Sequence, residues 1–446
     1  MKKIPTLARS HLFRVSSVLI LALAFSVTAR ARELTLEEVL TLARQHSFEL
    51  KSARSDAKAA RSSATAAQRG RYPTLAVSGS ASALSNLTSF FFQVVPGISI
   101  DRQLGSKEVY QFDAALSLPL YTGGRISGTI DQAEAAIRMK DAMIAATDDQ
   151  VLLAARVYYF TLARADDMML AAQASLERAR IVLRNVRSMF DAGAADSIDM
   201  FEADLAVTDA SFAGTRARIE RRSAEISLEL LLGIDPDESL TLSGTAAPPD
   251  ELPPSSDDIS GKPQLNAASA GIDAGLAEVR ISRSEYLPTI SLFGRYSIGK
   301  PNRDMFDAKW DDYFAGGAGL SWSFNLGNQT GHMMKSAESR VEALRLGREQ
   351  IERDLTEAAR LAGEQMRLAW EGYRSALDRF EITSKTYRIA ERQHAAGDLP
   401  TNRLLEIEQS LSSSEAAVAA AQASYHIARS SYLYAVGSDE LKKGTQ

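Results

Sequence analysis

Four charged side chains stand just past two sharp turns. Asp199 and Glu202 follow Gly193, while Arg403 and Glu406 follow Gly397. A three-residue interval places each pair on one face of a helix. Carboxylates gathered at a constriction focus the local field and draw cations. Were these residues to line a constriction, the chemistry they offer would be electrostatic filtering, with no bond made or broken. Asp196 and Asp398 lie in the turns themselves, and Asp196 suits an N-cap. Ordinary solvated turn charges are the competing account of the same residues.

No other motif supplies bond-making chemistry. The five histidines, His11, His46, His332, His394 and His426, are scattered, and no H-E-x-x-H, phosphate loop or nucleophile elbow occurs. Gly331 to Lys335, "GHMMK", pairs imidazole with thioethers as a copper site would. It reads more simply as a helix start with two core methionines. Cysteine is absent, which excludes disulfides, zinc thiolates and thiol nucleophiles. No catalytic residue, metal or cofactor is expected, and the chain reads as something other than an enzyme.

The elements that carry the turns are unusually long. Between Thr129 and Ala192 there is neither glycine nor proline. A helix from 125 to 192 reaches on the order of 100 Å, more than a compact domain can wrap. Apolar residues recur along it every seven positions: Ile130, Ile137, Ile144, Val151 and Tyr158. After a four-residue step the train resumes at Leu162, Met169, Leu176, Leu183 and Phe190. That pattern predicts coiled-coil packing with one stutter. Helices of 196–232, 329–396 and 400–436 follow, and shorter ones over Thr35 to Gly70 and Gln264 to Glu285 precede the strands. The short helices are expected to stack end to end on the return helices, completing an even wall. Gly347, Gly363 and Gly372 cost the 329–396 helix about 1 kcal/mol each against alanine, and close backbone approach is one reason to keep them.

Strands adjoin the long helices. In "FDAALSLPLYTGGR" (Phe112 to Arg125), Phe112, Ala114, Leu116, Leu118 and Leu120 alternate with Asp113, Ala115, Ser117, Pro119 and Tyr121. Leu320, Trp322, Phe324 and Leu326 alternate with Gly319, Ser321, Ser323 and Asn325 in the same way. Strands are predicted at about 72–88, 108–122, 287–299 and 313–326. An apolar outer face over a polar inner one is the pattern of a transmembrane β-barrel wall; a half-buried sheet in a soluble domain is the alternative. Pro119 lacks a ladder donor and weakens its strand. Tyr72, Tyr121, Tyr286 and Trp322 lie at the same strand ends, as an interfacial belt would. Four strands cannot close a barrel and open edges do not survive in lipid, so several chains must pool them.

The whole pattern is written twice. "YPTLAVSG" (Tyr72 to Gly79) returns as "LPTISLFG" (Leu287 to Gly294), and "LSLPLYTGG" (Leu116 to Gly124) as "LSWSFNLGN" (Leu320 to Asn328). The first repeat is placed at 32–233 and the second at 264–437, with a proline-rich extended linker at 234–263 and a C-terminal tail at 438–446. Residues 1–31 read as an export signal: Lys2, Lys3, Arg9 and Arg14, then the apolar Val15 to Val27, then Ala29-Arg30-Ala31. Its removal takes away five basic residues and moves the formal charge from −5 to −10. That balance opposes nucleic acid as a partner. No later run of about 18 apolar residues offers a membrane-spanning helix.

In this arrangement the chain resembles the TolC-type outer membrane efflux proteins over essentially its whole length after the signal. The resemblance is carried by "LTLEEVLTLARQHSFEL" (Leu34 to Leu50), "YPTLAVSG", "LPLYTGG", the turn "AGAADSIDMFEADL" (Ala192 to Leu205), and the second copies "LPTISLFG", "SFNLGN" and "AAGDLPTNRLLEIEQS". It implies an α+β membrane protein: a homotrimer whose α-helical barrel, a coiled-coil tunnel of twelve helices, continues into a twelve-stranded transmembrane β-barrel, four strands per protomer. It further implies a passive exit duct of a tripartite efflux or type I secretion system, set in outer membrane lipid. The duct would dock to a periplasmic adaptor and an inner-membrane transporter.

The resemblance places Asp199, Glu202, Arg403 and Glu406 at the periplasmic tip as gate candidates. Gly193, Gly397, Asp196 and Asp398 then mark the adaptor-docking turns. Arg403 departs from the family pattern, where an acid is common, and Leu399 stands where some relatives have an arginine. A pairing of Arg403 with Asp199 is one way such a gate would be held. Without cysteine the chain resembles the unlipidated branch. A trimeric coiled-coil adhesin or envelope spacer is the alternative from another class. Cargo, pump class and the role of loop 85–109 are left open by the sequence.

Overall fold

The computed structural model describes residues 32–235, 240–243, 248, 251–252, 256–304, 306 and 308–444. The export signal and Pro249, Pro253 and Pro254 of the linker lie outside the described residues.

Strand β1 (Arg32–Leu34) leads into α1 (Leu36–His46). Thr35 and Glu38 form a capping box there: the Thr35 hydroxyl accepts the Glu38 N–H at 3.2 Å, and the Glu38 carboxylate accepts the Thr35 N–H at 2.9 Å. The single helix expected from Thr35 to Gly70 is in fact two. Ser47 ends α1 and caps α2 (Phe48–Arg69), its hydroxyl accepting the Leu50 N–H at 3.2 Å. A hydroxyl that can bond nearby backbone offers the chain an alternative to continuing the helix.

Next come β2 (Thr74–Ala83), β3 (Thr88–Val95), β4 (Ile98–Leu104) and β5 (Glu108–Tyr121). The stretch 85–109, read as a loop, thus holds a hairpin of its own, β3 with β4. The long helix α3 (Arg125–Asp191) and the return helix α4 (Ser197–Leu232) follow. Strand β6 (Leu240–Leu242), helix α5 (Pro263–Ser284), and strands β7 (Thr289–Lys300) and β8 (Asp311–Ser321) lead to α6 (Gln329–Ala395) and α7 (Thr401–Val436). Each boundary of α6 and α7 lies 204 positions after its counterpart in α3 and α4: 329 against 125, and 401 against 197.

Four strands form one antiparallel sheet in the order β2, β5, β7, β8. Register sorts the faces. Leu75, Leu116, Gly294 and Gly316 lie across one face, with Val77, Ala114, Tyr296 and Phe314 beside them. The other face carries Ser78, Asp113, Ser297 and Tyr313 in one row, and Ser291, Pro119 and Gly319 in another. The first face is apolar and largely exposed: Leu75 67 %, Val77 77 %, Phe112 52 % and Phe314 75 %. The ladder shifts register between Pro119 and Tyr121, where proline supplies no donor. Strand β8 stops at Ser321, because its partner β7 begins at Thr289 and no ladder remains to pair. Trp322, Phe324 and Leu326, expected on that strand, therefore lie beyond it and are exposed. Tyr72, Tyr121, Tyr286 and Trp322 cluster at the helical end of the sheet, each about half exposed.

The helices form a wall. Helix α3 packs along α1, α2 and α5 in its upper half and along α4 and α7 in its lower half; α6 packs along α5 and α7. Ion pairs join the layers, among them Arg44–Asp148 at 2.7 Å, Arg61–Asp141 at 2.6 Å and Arg138–Asp273 at 2.9 Å. The short helices meet the return helices end to end. A Cβ on Gly233 would lie 2.9 Å from His46 at the end of α1, and one on Gly437 would lie 3.1 Å from Lys262 at the start of α5.

The main core gathers where these ends meet, around Leu40, Leu152, Tyr159, Leu228, Leu240 and Tyr425. A second, smaller core near the turns holds Val182, Val186, Ala203, Tyr387, Ala390 and Leu404. The fully buried seam of α3, Leu152, Ala155, Tyr159 and Leu162, only partly follows the expected heptad train. Ile130, Val151 and Leu162 of that train are buried, but Tyr158 and Phe190 are 38 % exposed. A helix with neighbours on two sides needs more than one apolar stripe.

The linker contains β6, which pairs in parallel with β1 (Leu34 with Leu242), so it is more than an extended tether. The tail docks as a 3-10 turn, Asp439–Lys442, with Leu441 1 % exposed. Buried Arg156 donates to the carbonyls of Glu440, Leu441 and Lys443. Burial pulls this guanidinium down to about 10. Helix α6 runs unbroken through its glycines. A Cβ on Gly347 or Gly372 would meet nothing within 4 Å, so close approach inside the chain does not explain those two. Among the described residues no helix is long and apolar enough to cross a membrane.

Candidate functional site

Both helical hairpins end in the same turn. Gly193 and Gly397 adopt positive φ, 74° and 85°. The Ala194 N–H donates to Met189 O at 2.8 Å and the Gly193 N–H to Phe190 O at 2.9 Å; Asp398 and Gly397 do the same to Gln393 O and His394 O at 2.9 and 3.0 Å. These are paired Schellman bonds, which satisfy the last helical carbonyls and turn the chain back sharply.

Helix α4 then opens on a capping box. The Asp196 carboxylate accepts the Ile198 and Asp199 N–H groups at 2.8 and 3.0 Å, and the Asp199 carboxylate accepts the Asp196 N–H at 3.3 Å. Asp199 is thus engaged by its own helix start. Arg403 donates to Glu406 at 2.6 Å, both side chains near 60 % exposed, so within the chain it pairs there and not with Asp199. Glu202 and Glu406 come together on one groove between α3, α4 and α7. Its volume is about 720 Å³, with Asp209, Glu220 and Glu408 as further acids and Arg216 as a base. Asp398 is exposed at the second turn.

Sequence reasoning missed the buried charges behind this groove. Arg178 of α3 reaches Glu408 at 3.1 Å and Glu415 at 2.7 Å, both on α7. Ser412 accepts from the same guanidinium at 2.9 Å and donates to Glu408 at 2.7 Å, with Ser175 Oγ 2.8 Å away. Burial works against the Arg178 charge, but Glu415 and Glu408 outweigh it and raise its pKa. Burial also pushes the Tyr387 hydroxyl up to about 12, helped by Glu391 and Glu408. The signal was present in the spacing: Glu408 and Glu415 stand seven apart on a helix whose neighbours are mostly serine and alanine. His394 was also passed over. It is 3 % exposed, with Nε2 3.3 Å from Thr401 Oγ1.

The "GHMMK" stretch does open α6, but its methionines are not core. Met333 is 48 % exposed and Met334 only partly buried. Among the described residues no group of three or more His, Cys, Asp or Glu side chains is placed to hold a metal.

An acid-lined groove at sharp helical turns, a wall of helices about 100 Å long and a sheet with an apolar exposed face stand together in this chain. The model of the family described as "Outer membrane efflux protein" matches residues 39–234 and 256–437. The chain belongs to that family. Its fold is similar to three solved structures. For CusC, described in terms of conformational changes accompanying folding and transmembrane channel formation, the TM-score is 0.77 at 16 % identity, covering 91 % of this chain and 92 % of that one. For the outer-membrane channel OprN it is 0.75 at 20 % identity, covering 91 % and 90 %. For the Campylobacter jejuni CmeC outer membrane channel it is 0.74 at 15 % identity, covering 97 % and 94 %. No curated protein sequence matches the chain.

Proposed function

We propose that the chain is one third of a homotrimeric exit duct serving a tripartite efflux or type I secretion system. In this reading three four-stranded sheets close a twelve-stranded barrel in outer membrane lipid, and twelve helices form the tunnel beneath it. The duct is passive and carries no enzyme chemistry. The turns at Gly193 and Gly397, with Asp196 and Asp398, meet a periplasmic adaptor that links it to an inner-membrane transporter. Asp199, Glu202, Arg403 and Glu406 stand at the tip and set its preference for ions.

One observation carries the reading. A four-stranded sheet with an exposed apolar face and, among the described residues, two free edges, β2 and β8, cannot rest in lipid alone, because every edge donor and acceptor there must be paired. The antiparallel order leaves β8 running opposite to β2, so the next copy's β2 extends the sheet with the same pattern. An adhesin stalk has no use for such a sheet.

Purified protein in a planar bilayer should give discrete conductance steps. Under a salt gradient the reversal potential should favour cations, and the triple change Asp199→Asn, Glu202→Gln, Glu406→Gln should weaken that preference. A trimer that inserts without conducting would instead support the envelope-spacer reading.

A further inference from the structure

His394 is an imidazole placed where its charge has almost no water. It lies near the end of α6 and is 3 % exposed. Its Nε2 is 3.3 Å from Thr401 Oγ1 in the first turn of α7. Its carbonyl accepts the Gly397 N–H at 3.0 Å, one of the two bonds that make the turn. A single residue therefore joins α6, the turn and α7.

The charges around it are unevenly placed. On α4, Asp199 favours its protonation. On its own helix Glu391 and Arg392 face solvent, as do Asp398 in the turn and Asp191 at the end of α3. On α7, Arg403 and Glu406 are exposed and satisfy each other. Asp199 is itself held by the Asp196 N–H in the α4 cap. Burial dominates this balance and keeps the imidazole below its ordinary value of 6.5, with Asp199 only partly offsetting it.

We infer that His394 is a proton-sensitive pin: neutral, it fixes the α6–α7 turn, and protonated, it loosens that turn. The consequence for conduction, a tip that opens more readily in acid, rests on the exit-duct reading; the loosening itself does not. An imidazole in water takes its proton near its ordinary value of about 6.5, whereas in the packed turn His394 does so only at lower pH. Between those two values the open state holds more protons, so the closed turn is fully stable above the window and loses stability as pH falls through it.

Hydrogen exchange of the intact full-length protein in detergent tests this, with intrinsic rates corrected, in a series from about pH 7.5 down to about pH 4. Peptides covering 391–404 should lose protection in acid by up to about tenfold per pH unit inside the window. His394→Gln keeps a side-chain amide for Thr401 but cannot titrate, so it should hold neutral-pH protection and lose the acid step. Asp199→Asn removes the favourable charge, so its acid step should extend to lower pH and grow. A wild-type acid step surviving in His394→Gln overturns the proposal. If His394→Gln is already unprotected at neutral pH, an unmoved step in Asp199→Asn overturns it equally. Neutral-pH conductance is a separate measurement, so failure of the pin and failure of the duct are told apart.

Discussion

At the scale of single residues, burial decides which charge matters. The Arg178 side chain is 17 % exposed, and its partners Glu408 and Glu415 are 9 % and 20 % exposed. Removing the cation leaves two largely desolvated carboxylates facing each other, and breaking such a pair costs about 3 kcal/mol or more. Arg178→Met should therefore lower the urea midpoint of the isolated protein markedly, and part of the loss should return in acid as the unpaired carboxylates take up protons. Arg403→Ala, at a pair near 60 % exposed on each side, should change stability by no more than about 0.5 kcal/mol. Equal midpoints for the two variants would contradict this ordering. The sequence drew attention to Arg403 because turns announce themselves through glycine. Arg178 lies inside a long helix, and only the seven-residue interval from Glu408 to Glu415 hints that a partner is needed.

At the scale of elements, the junction from β5 into α3 depends on two adjacent glycines with different duties. Gly123 has φ 62°, and a Cβ there would lie 2.7 Å from Ser284 O and 2.8 Å from Leu287 Cβ. Gly124 has φ 92°, but only the Ser127 hydroxyl lies near, at 3.9 Å. Its counterpart 204 positions on, Asn328, holds φ 53° as a non-glycine, and asparagine tolerates that region better than other side chains. Gly124→Asn should thus be nearly neutral. Gly123→Ala should lose about 1–2 kcal/mol to the left-handed backbone alone, with the collision against α5 added. Thermal unfolding of the two variants side by side checks the contrast. Helix ends such as this were legible, because glycine, asparagine and the capping aspartate act locally. The break at Ser47, the β3–β4 hairpin, strand β6 and the docked tail were not. Strand β6 and the tail depend on partners far along the chain, β1 and Arg156, whereas the Ser47 break and the β3–β4 hairpin are held locally.

At the scale of the whole molecule, the unpartnered faces fit one another. On α4, Ile198, Leu205, Phe212, Ile219 and Ile226 recur every seven residues and are 64, 61, 72, 62 and 46 % exposed. On α6, Leu361, Leu368, Ile382 and Ile389 follow the same interval and are 56, 74, 65 and 57 % exposed, with Ser375 in the remaining place. Counted upward from Gly193, the α4 positions stand at 5, 12, 19, 26 and 33 residues; counted upward from Gly397, the α6 positions stand at 8, 15, 22, 29 and 36. Each row falls in the gaps of the other, as knobs and holes require. The two helices run in opposite directions from their turns, as neighbours in an alternating wall must. If copies join α4 to α6, Phe212 of one copy lies between Ser375 and Ile382 of the next. The absence of cysteine makes this directly testable. Phe212→Cys combined with Ser375→Cys should give covalent dimers and trimers on mild oxidation of the assembled protein. Phe212→Cys with Leu361→Cys, 17 residues out of register by the same count, should not. Equal cross-linking by both pairs, or none by either, would remove this arrangement of copies while leaving the fold of each copy as described.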